Sequence, residues 1–500
     1  MDHDPSVVEG CAGGSCGVIA TFYLEVVDGV IVDASARVRG RASAFATASA
    51  LCESAIARSI VDAAALGIAT LHPSFAAMDD EDRERALVVE DAFHHAIGSW
   101  LLAQMREGHT NVLNSEHRLS AIVGMSGGVD SAVALHLTHD AAQSGRVAGV
   151  TLQLWIDPKA PNPDSACCSP DSVRRARVTC HAAGLPHFSL DLRRRFAAAV
   201  VAPFLAGYRA GETPNPCVTC NGSFRLDELV SLADVVGAEH VVTGHYVRTV
   251  ERDGVTLLQR GVDERKDQSY MLARLNPKQL ERYRFPLGGM VKPDVRALAA
   301  SRGLEQAKIS DSQEACFLGG GDYRHFLERT DAQGRAGVIR RIDGEQLGTH
   351  TGIGRFTPGQ RRGIAVPATA PGGGALYVIS TNPATGDVIV GGRDDLATHE
   401  VHLRRVRVLD EHAPAHPMFV QLRYRTRDRG NRATLERTAR SEQGSDREAT
   451  AVGAIDAILR FADPISAPAP GQLACLYDEH DVVIASGTIT RSPRDTVLPR

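Results

Sequence analysis

The stretch that most constrains this chain is Ala121 to Ser131, AIVGMSGGVDS. Apolar residues run up to Gly124. The loop Ser126-Gly127-Gly128-Val129-Asp130-Ser131 follows, and AVALHLTHDAA beyond it reads as a helix. Strand, glycine loop and helix start, in that order, aim backbone N–H groups and a helix N-terminus at one point, which is an anion site. Adjacent glycines let the backbone approach a phosphate with no Cβ in the way. Asp130 and Ser131 are expected to cap the first turn, and Ser126 and Ser131 to add hydroxyl donors. The dinucleotide pattern G-x-G-x-x-G and the P-loop pattern G-x-x-x-x-G-K-[ST] are both absent.

Composition sets the class. The 500 residues are 43% hydrophobic and 23% charged, ordinary for a globular protein, and their length suggests about three or four domains. A net charge of −5 gives no global sign of nucleic acid, so any basic surface is local. No apolar run reaches membrane-spanning length. The acidic start MDHDPSVVEG lacks a signal-peptide layout, so the expected location is the cytoplasm, with no membrane partner. Ten cysteines are too few for a disulfide scaffold, and in a reducing compartment close pairs point to metal or redox chemistry.

Four segments are expected along the chain. Residues 1–105 form an α+β unit: VIATFYLEVVDGVIVDASARV gives two strands turning at Asp28-Gly29, an alanine-rich helix then runs to Gly67, and VVEDAFHHAIGSWLLAQM gives another. Residues 106–117 are a polar linker. In 118–328, VAGVTLQLW, PHFSLDL and HVVTGHYVRTV read as strands between helical stretches, an α/β pattern with a parallel sheet. Ligands of such sheets sit at the carboxyl ends of the strands, where the glycine loop lies. Residues 329–395 are glycine-rich and β-rich, with a hairpin over Asn382-Pro383 and Gly386. From 396 to 500 short strands recur (VHLRRVRVL, MFVQLRYRT, AIDAILRFA, QLACLYD, DVVIASGTITR), as in a small β-barrel.

Two thiol-bearing stretches stand out. In TPNPCVTCNGSF, Pro214 and Pro216 stiffen the approach, and Cys217 and Cys220 are spaced C-x-x-C close to the helical stretch FRLDELV, where a thiol is activated. In SDSQEACF, Cys316 precedes the glycine run LGGGDY. Two separated thiols suit sulfur transfer, one carrying a persulfide and the other resolving it. Arg423, Arg425, Arg427, Arg429 and Arg432 lie in LRYRTRDRGNR, and alternation on a strand would put several on one face able to grip phosphates. Arg174, Arg175, Arg177 and Arg193 to Arg195 read as helix-surface charges, Cys180 and Cys475 as core, and Cys167-Cys168 as a loop feature without a role.

SGGVDS resembles the pyrophosphate-binding loop of the ATP pyrophosphatases, which cleave ATP between its α and β phosphates. In register with it come TPNP-C-VT-C-N, Thr243-Gly244-His245-Tyr246, Lys266-Asp267-Gln268-Ser269-Tyr270, DSQEACF, FTPGQRRG and APGQLACLYD. Together these resemble the bacterial tRNA-specific 2-thiouridylases (MnmA-type) from about residue 118 to the C-terminus. The resemblance implies 2-thiolation of a wobble uridine of tRNA with ATP, Mg2+ and sulfur relayed as a persulfide from a sulfur-donor protein such as a cysteine desulfurase or persulfide carrier. It implies Cys220 as nucleophile and Cys316 as persulfide carrier. The nucleotide site is implied at Gly124, Met125, Ser126, Gly127, Gly128, Val129, Asp130 and Ser131, with Leu152 and Gly244. It implies contacts to the target base at Asn215, Pro216 and Cys217, and to tRNA at His245, Lys266, Asp267, Gln268, Arg423, Tyr424 and Gln472. Many members carry Asp where this chain has Cys217, so a [4Fe–4S] cluster on Cys217, Cys220 and Cys316 is the alternative to a two-thiol relay.

Residues 1–105 resemble the NifU/IscU iron–sulfur scaffolds. Cys16 keeps the first cysteine position, while Arg41 and a residue near Arg85 replace the other two, which implies a degenerate scaffold kept for docking. Two other functions are compatible with the residues: an iron–sulfur assembly or delivery protein, and an ATP pyrophosphatase ligase acting on a small molecule.

Overall fold

All seven residues of Val147–Gln153 are buried, as a strand enclosed on both faces of a parallel sheet must be. In the computed structural model this strand lies next to last in a five-stranded sheet of order Tyr283–Arg284, His240–Thr243, Ala121–Gly124, Val147–Gln153, His187–Asp191, parallel throughout. The structure describes residues 7–71, 75–142, 145–157, 159, 169–309, 316–318, 321–364, 366, 369, 373–410, 417–424, 431–438 and 455–491. Cys167-Cys168, Arg425, Arg427 and Arg429 lie outside them. Among the described residues no helix is long and apolar enough to cross a membrane.

The chain divides into two compact units. One comprises Met1–Phe196, Arg225–Tyr246 and Arg282–Gly320; the other comprises Ala197–Phe224, Val247–Glu281 and Gly321–Arg500.

The first unit contains the parallel sheet. Its core joins Val123, Met125, Leu135, Val147, Cys180 and Val242, taken from strands and from the helices Val129–Ala141 and Pro170–Ala182. The stretch HVVTGHYVRTV is not one strand. The ladder ends at Thr243, and the chain resumes as Val247–Arg252, paired in a hairpin with Val255–Arg260 in the second unit.

The same unit holds the N-terminal segment. Its sheet has three antiparallel strands, Val7–Gly13, Ile19–Val27 and Val30–Arg39. The expected turn at Asp28-Gly29 is present, with both residues at positive φ, as a tight two-residue hairpin requires. The first strand was not expected, because VVEGCAG is too poor in large apolar residues to show alternation. The alanine-rich stretch is broken rather than one helix: Ala42–Ala55 ends, Ala57 turns at φ 64° and Ser59 caps a new start by accepting from Asp62 N–H. The long helix Asp80–Glu107, capped by Asp79 and ended at Gly108 with φ 72°, packs Phe93 edge-on against Phe22 at 5.4 Å.

This segment is built onto the parallel sheet. His187 N–H donates to Ala64 O at 3.1 Å. A Cβ on Gly98 would stand 2.0 Å from Ser189 O, so only glycine allows the long helix to lie this close. The arginines read as surface charges on helix Pro170–Ala182 are in part buried. Arg177, 1% exposed, pairs with Asp91 at 2.9 Å and Glu90 at 3.3 Å, and Arg174 pairs with Glu84 and Asp91. The partners are 83 to 90 residues away in sequence, which a local reading cannot supply.

In the second unit, Gln346–His350, Gly337–Arg341, Val388–Gly391 and Tyr377–Thr381 form a four-stranded sheet. The Asn382–Gly386 hairpin is present. A closed barrel follows in the order Ala397–Val408, Ile455–Ser466, Arg432–Arg437, Met418–Gln421, Leu473–Tyr477, Val483–Ile489. The strand beginning at Met418 stops at Gln421, so Arg423 lies beyond it. Arg432 lies on the next strand, over the Phe419 ring.

Gly98→Ala is expected to destabilise the full chain by about 1–3 kcal/mol, the usual range for overpacking; chemical denaturation of the two proteins side by side measures it. Burial, with the Arg177 charge next, holds His94 and His187 neutral, well below 6.5. The unfolded chain protonates them as pH falls through about 6.5 and the fold does not, so their contribution is present above that pH and lost below it. Melting temperature should therefore fall from pH 7 to pH 5, less steeply in His94→Gln.

Candidate functional site: a nucleotide loop and a cysteine helix

The loop is held from three sides. Ala121–Gly124 pairs in register with Val147–Val150 and with His240–Thr243, so the carboxyl ends of these parallel strands face the same rim. Met125 N–H continues the ladder to Val150 O at 2.7 Å. Gly127 then turns at φ 72°, and a Cβ there would stand 2.5 Å from Ser172 O. Both conformation and space demand glycine. The helix starts at Val129 with Gly128 as its N-cap and no side-chain cap bond. Asp130 and Ser131 therefore do not cap it, contrary to expectation. Ser131 closes the loop instead: its Oγ accepts from Ser126 N–H at 3.1 Å and donates to Gly128 O at 3.0 Å. The carboxylate of Asp130 turns aside to accept from Tyr246 Oη at 2.7 Å and from Lys292 Nζ at 2.7 and 2.8 Å. Gly244 lies against the Asp130 backbone, and Leu152 is buried near the carboxyl end of its strand. The helix start leaves its first N–H groups without intrahelical acceptors, so the loop can hold an anion.

His245 follows Gly244. Its Nδ1 is 2.8 Å from Thr243 Oγ1 and its ring meets Phe285 edge-on. Exclusion of water from the ring, with the Arg225 charge next, pushes it down to about 3, so the imidazole is neutral at physiological pH.

In the second unit the cysteine motif makes its own helix, Pro216–Ser223, with proline in its first turn and Asn215 as N-cap. Asn215 Oδ1 accepts from Cys217 N–H at 3.1 Å and Val218 N–H at 3.4 Å. Cys217 is half-buried in the first turn, and Cys220, one turn on, is buried. Both are thiols. The helix that places a thiol at an N-terminus is thus this one, not the FRLDELV helix beyond it.

Three distant motifs meet at Thr213. Thr213 N–H donates to Pro470 O at 2.7 Å, Gln472 Nε2 donates to Thr213 O, and Thr213 Oγ1 is 3.2 Å from Thr357 Oγ1. APGQ and FTPGQ therefore brace TPNPC. Arg423 Nη2 lies close to Gly359 and is exposed, beside the exposed Tyr424. Asp267 faces inward: its carboxylate accepts from Gly261 N–H, Ser269 N–H and Ser269 Oγ and pairs with Arg260. Lys266 and Gln268 flank it, half-buried. Cys316 opens the short turn Cys316–Leu318, and its side chain lies outside the described residues.

With this geometry in place, residues 119–320 match the model described as "tRNA methyl transferase HUP domain", and residues 324–392 match "tRNA methyl transferase PRC-barrel domain". The chain is 39% identical over 373 residues to the tRNA-specific 2-thiouridylase MnmA of Sorangium cellulosum, covering 74% of this chain and 92% of that protein. It is 40% identical over 361 residues to the enzyme of the same name from Acidithiobacillus ferrooxidans, covering 71% and 94%. The chain belongs to the tRNA-specific 2-thiouridylase family. Among solved structures, a U34-tRNA thiolase NcsA from Methanococcus maripaludis with its [4Fe-4S] cluster is similar at 15% identity and a TM-score of 0.26, over 46% of this chain and 74% of that one.

For a 2-thiouridylase-family chain, the sequence reading left out two features. Lys292, 162 residues from Asp130, is buried and ion-paired at the loop. Arg274, Arg404, Arg405 and Arg407 gather beside the cysteine helix: a Cβ on Gly222 would touch Arg274, and burial together with the charges of Arg407, Arg405 and Arg404 pushes Arg274 down to about 10. VHLRRVRVL carried the signal for the arginines, masked by its strand pattern.

Gly127→Ala is expected to remove nucleotide binding while leaving the circular dichroism spectrum unchanged; equilibrium dialysis with labelled ATP measures the loss.

Proposed function

We propose that the chain is an ATP-dependent tRNA-uridine 2-sulfurtransferase. The observation that carries this reading is the loop itself, a glycine-turned anion site at the carboxyl ends of three parallel strands, in a chain whose family relatives are named for tRNA 2-thiolation. In this reading the loop, with Leu152 and Gly244, holds ATP. The C2 oxygen of the wobble uridine attacks the α-phosphorus, and diphosphate leaves. The terminal sulfur of a Cys316 persulfide then attacks C2, and AMP leaves. The Cys220 thiolate attacks Cys316 Sγ, freeing the 2-thiouridine and leaving a Cys220–Cys316 disulfide, which a dithiol reductant resets. The sulfur-donor protein loads Cys316. Asn215, Pro216 and Cys217 line the base site. His245, Lys266, Gln268, Arg423, Tyr424 and Gln472 serve tRNA, with Asp267 and Gln472 acting through the loops they hold.

Two implied groups are tested by the residues present. Mg2+ directly on Asp130 does not fit the observed pairing, since both carboxylate oxygens already accept from Lys292, and no step runs through a metal there. For a [4Fe–4S] cluster, Cys217 and Cys220 one helical turn apart suit two ligands, and the third ligand would be Cys316.

Residues 1–105 serve docking in this reading rather than cluster assembly. Arg41 sits at a helix N-cap position, and the buried Arg85 pairs with Asp82 and Glu81, so cations stand where the resemblance expects thiolates.

Cys220→Ser and Cys316→Ser are each expected to abolish 2-thiouridine in tRNA nucleosides while AMP formation persists. Cys217→Ser decides the mechanism. Partial activity supports the relay; iron present in the wild type and lost together with thiolation in this variant overturns it. For the arginine group, Arg405→Ala should weaken tRNA binding and shallow its salt dependence by about one unit of slope, read from filter binding at several ionic strengths.

A further inference from the structure

We propose that Lys292 is the phosphate-binding cation of the nucleotide site, and that Asp130 serves first to anchor it. The proposal rests on the reading that the loop binds ATP.

A polyphosphate carries several negative charges, and P-loops answer them with a lysine inside the loop. Here the sequence from 119 to 145 contains no lysine or arginine. Lys292 supplies a cation from far along the chain. It is the first residue of helix Lys292–Ser301, its side chain is about one-tenth exposed, and its Nζ lies 2.7 and 2.8 Å from the two Asp130 oxygens. Asp130 is the second residue of the helix whose start faces the anion site, so the ammonium is already at that helix start. An apolar cluster of Val129, Val133, Tyr246, Leu287 and Val295 joins the helices that carry Asp130 and Lys292, and Nζ stands 5.8 Å from the Tyr246 ring.

A purely structural pair at this place would be a poor choice. Burying two charges gains little over apolar packing of the same volume, whereas a lysine on a flexible stem can add a phosphate oxygen to its carboxylate contact with three N–H donors available. Asp130 holds the ammonium in place before nucleotide arrives, so less ordering is left to be done on binding.

The test measures binding of α,β-methylene-ATP by calorimetry to the full chain as wild type, Lys292→Met, Lys292→Arg and Gly127→Ala, with melting temperatures alongside. Loss of a charged hydrogen-bond donor should weaken binding about tenfold to a hundredfold in Lys292→Met. Lys292→Arg should stay within a few-fold of wild type, and Gly127→Ala should not bind. If Lys292→Met binds like wild type while Gly127→Ala does not, the lysine is only structural and the proposal is overturned, with the loop assignment intact. If Gly127→Ala also binds like wild type, the loop assignment itself fails and the proposal with it. Should Lys292→Met not fold, Lys292→Gln takes its place; equal affinity in Lys292→Gln and Lys292→Arg overturns the proposal.

Discussion

Backbone pairing of Ala121–Gly124 with a parallel neighbour on each side is the constraint from which the glycine-loop half of this protein follows. Parallel ladders make the three strands run and end in the same direction, so whatever follows each strand arrives at one rim. The first strand delivers SGGVDS there. The second delivers Leu152. The third ends at Thr243 and must give way at once, because Gly244 already touches the backbone of Asp130. TGHY and SGGVDS, more than a hundred residues apart, are one piece of structure for this reason.

The cysteine half is organised differently. No ladder carries the TPNPC segment. Proline stiffens it, Asn215 caps it, and two other turns hold it through Thr213. Gln472 and Thr357 come from segments rich in proline and glycine, whose bends bring backbone groups within hydrogen-bonding reach. A thiol near a helix start, fixed by turns instead of strands, gains position without being sealed in. Cys217 remains half-buried while Cys220 is enclosed. Around this helix, arginines on strand Ala397–Val408 and Arg274 build a positive field that the chain's overall charge of −5 conceals.

What the sequence made legible was local and periodic. The Asp28-Gly29 turn follows from backbone conformation, the parallel sheet from alternation of strand and helix, and the barrel from short strands with turn signals. What it hid depended on partners far away. Arg177 looks like any helix arginine until Glu90 and Asp91 are placed beside it, and Lys292 looks like a helix-start lysine until Asp130 is. Asp130 and Ser131 have the chemistry of caps, but the helix begins at Val129, at least two residues too early to use them so, and their side chains bond elsewhere. Val7–Gly13 shows no strand pattern because small residues fill it, and Gly10 needs that smallness: a Cβ there would collide with the backbone of the long helix at Ala96.

The contact of the N-terminal segment with His187–Asp191 has a consequence for the life of the chain. That strand is last in its sheet, and an outermost strand offers a row of open backbone groups on which another chain can grow. Here Ala64 accepts one of those N–H groups, and the long helix lies across Ser189 so closely that no foreign strand could enter. Because this segment precedes His187–Asp191 in the chain, the guard is synthesised before the edge it protects. That edge can therefore be covered as soon as it is made.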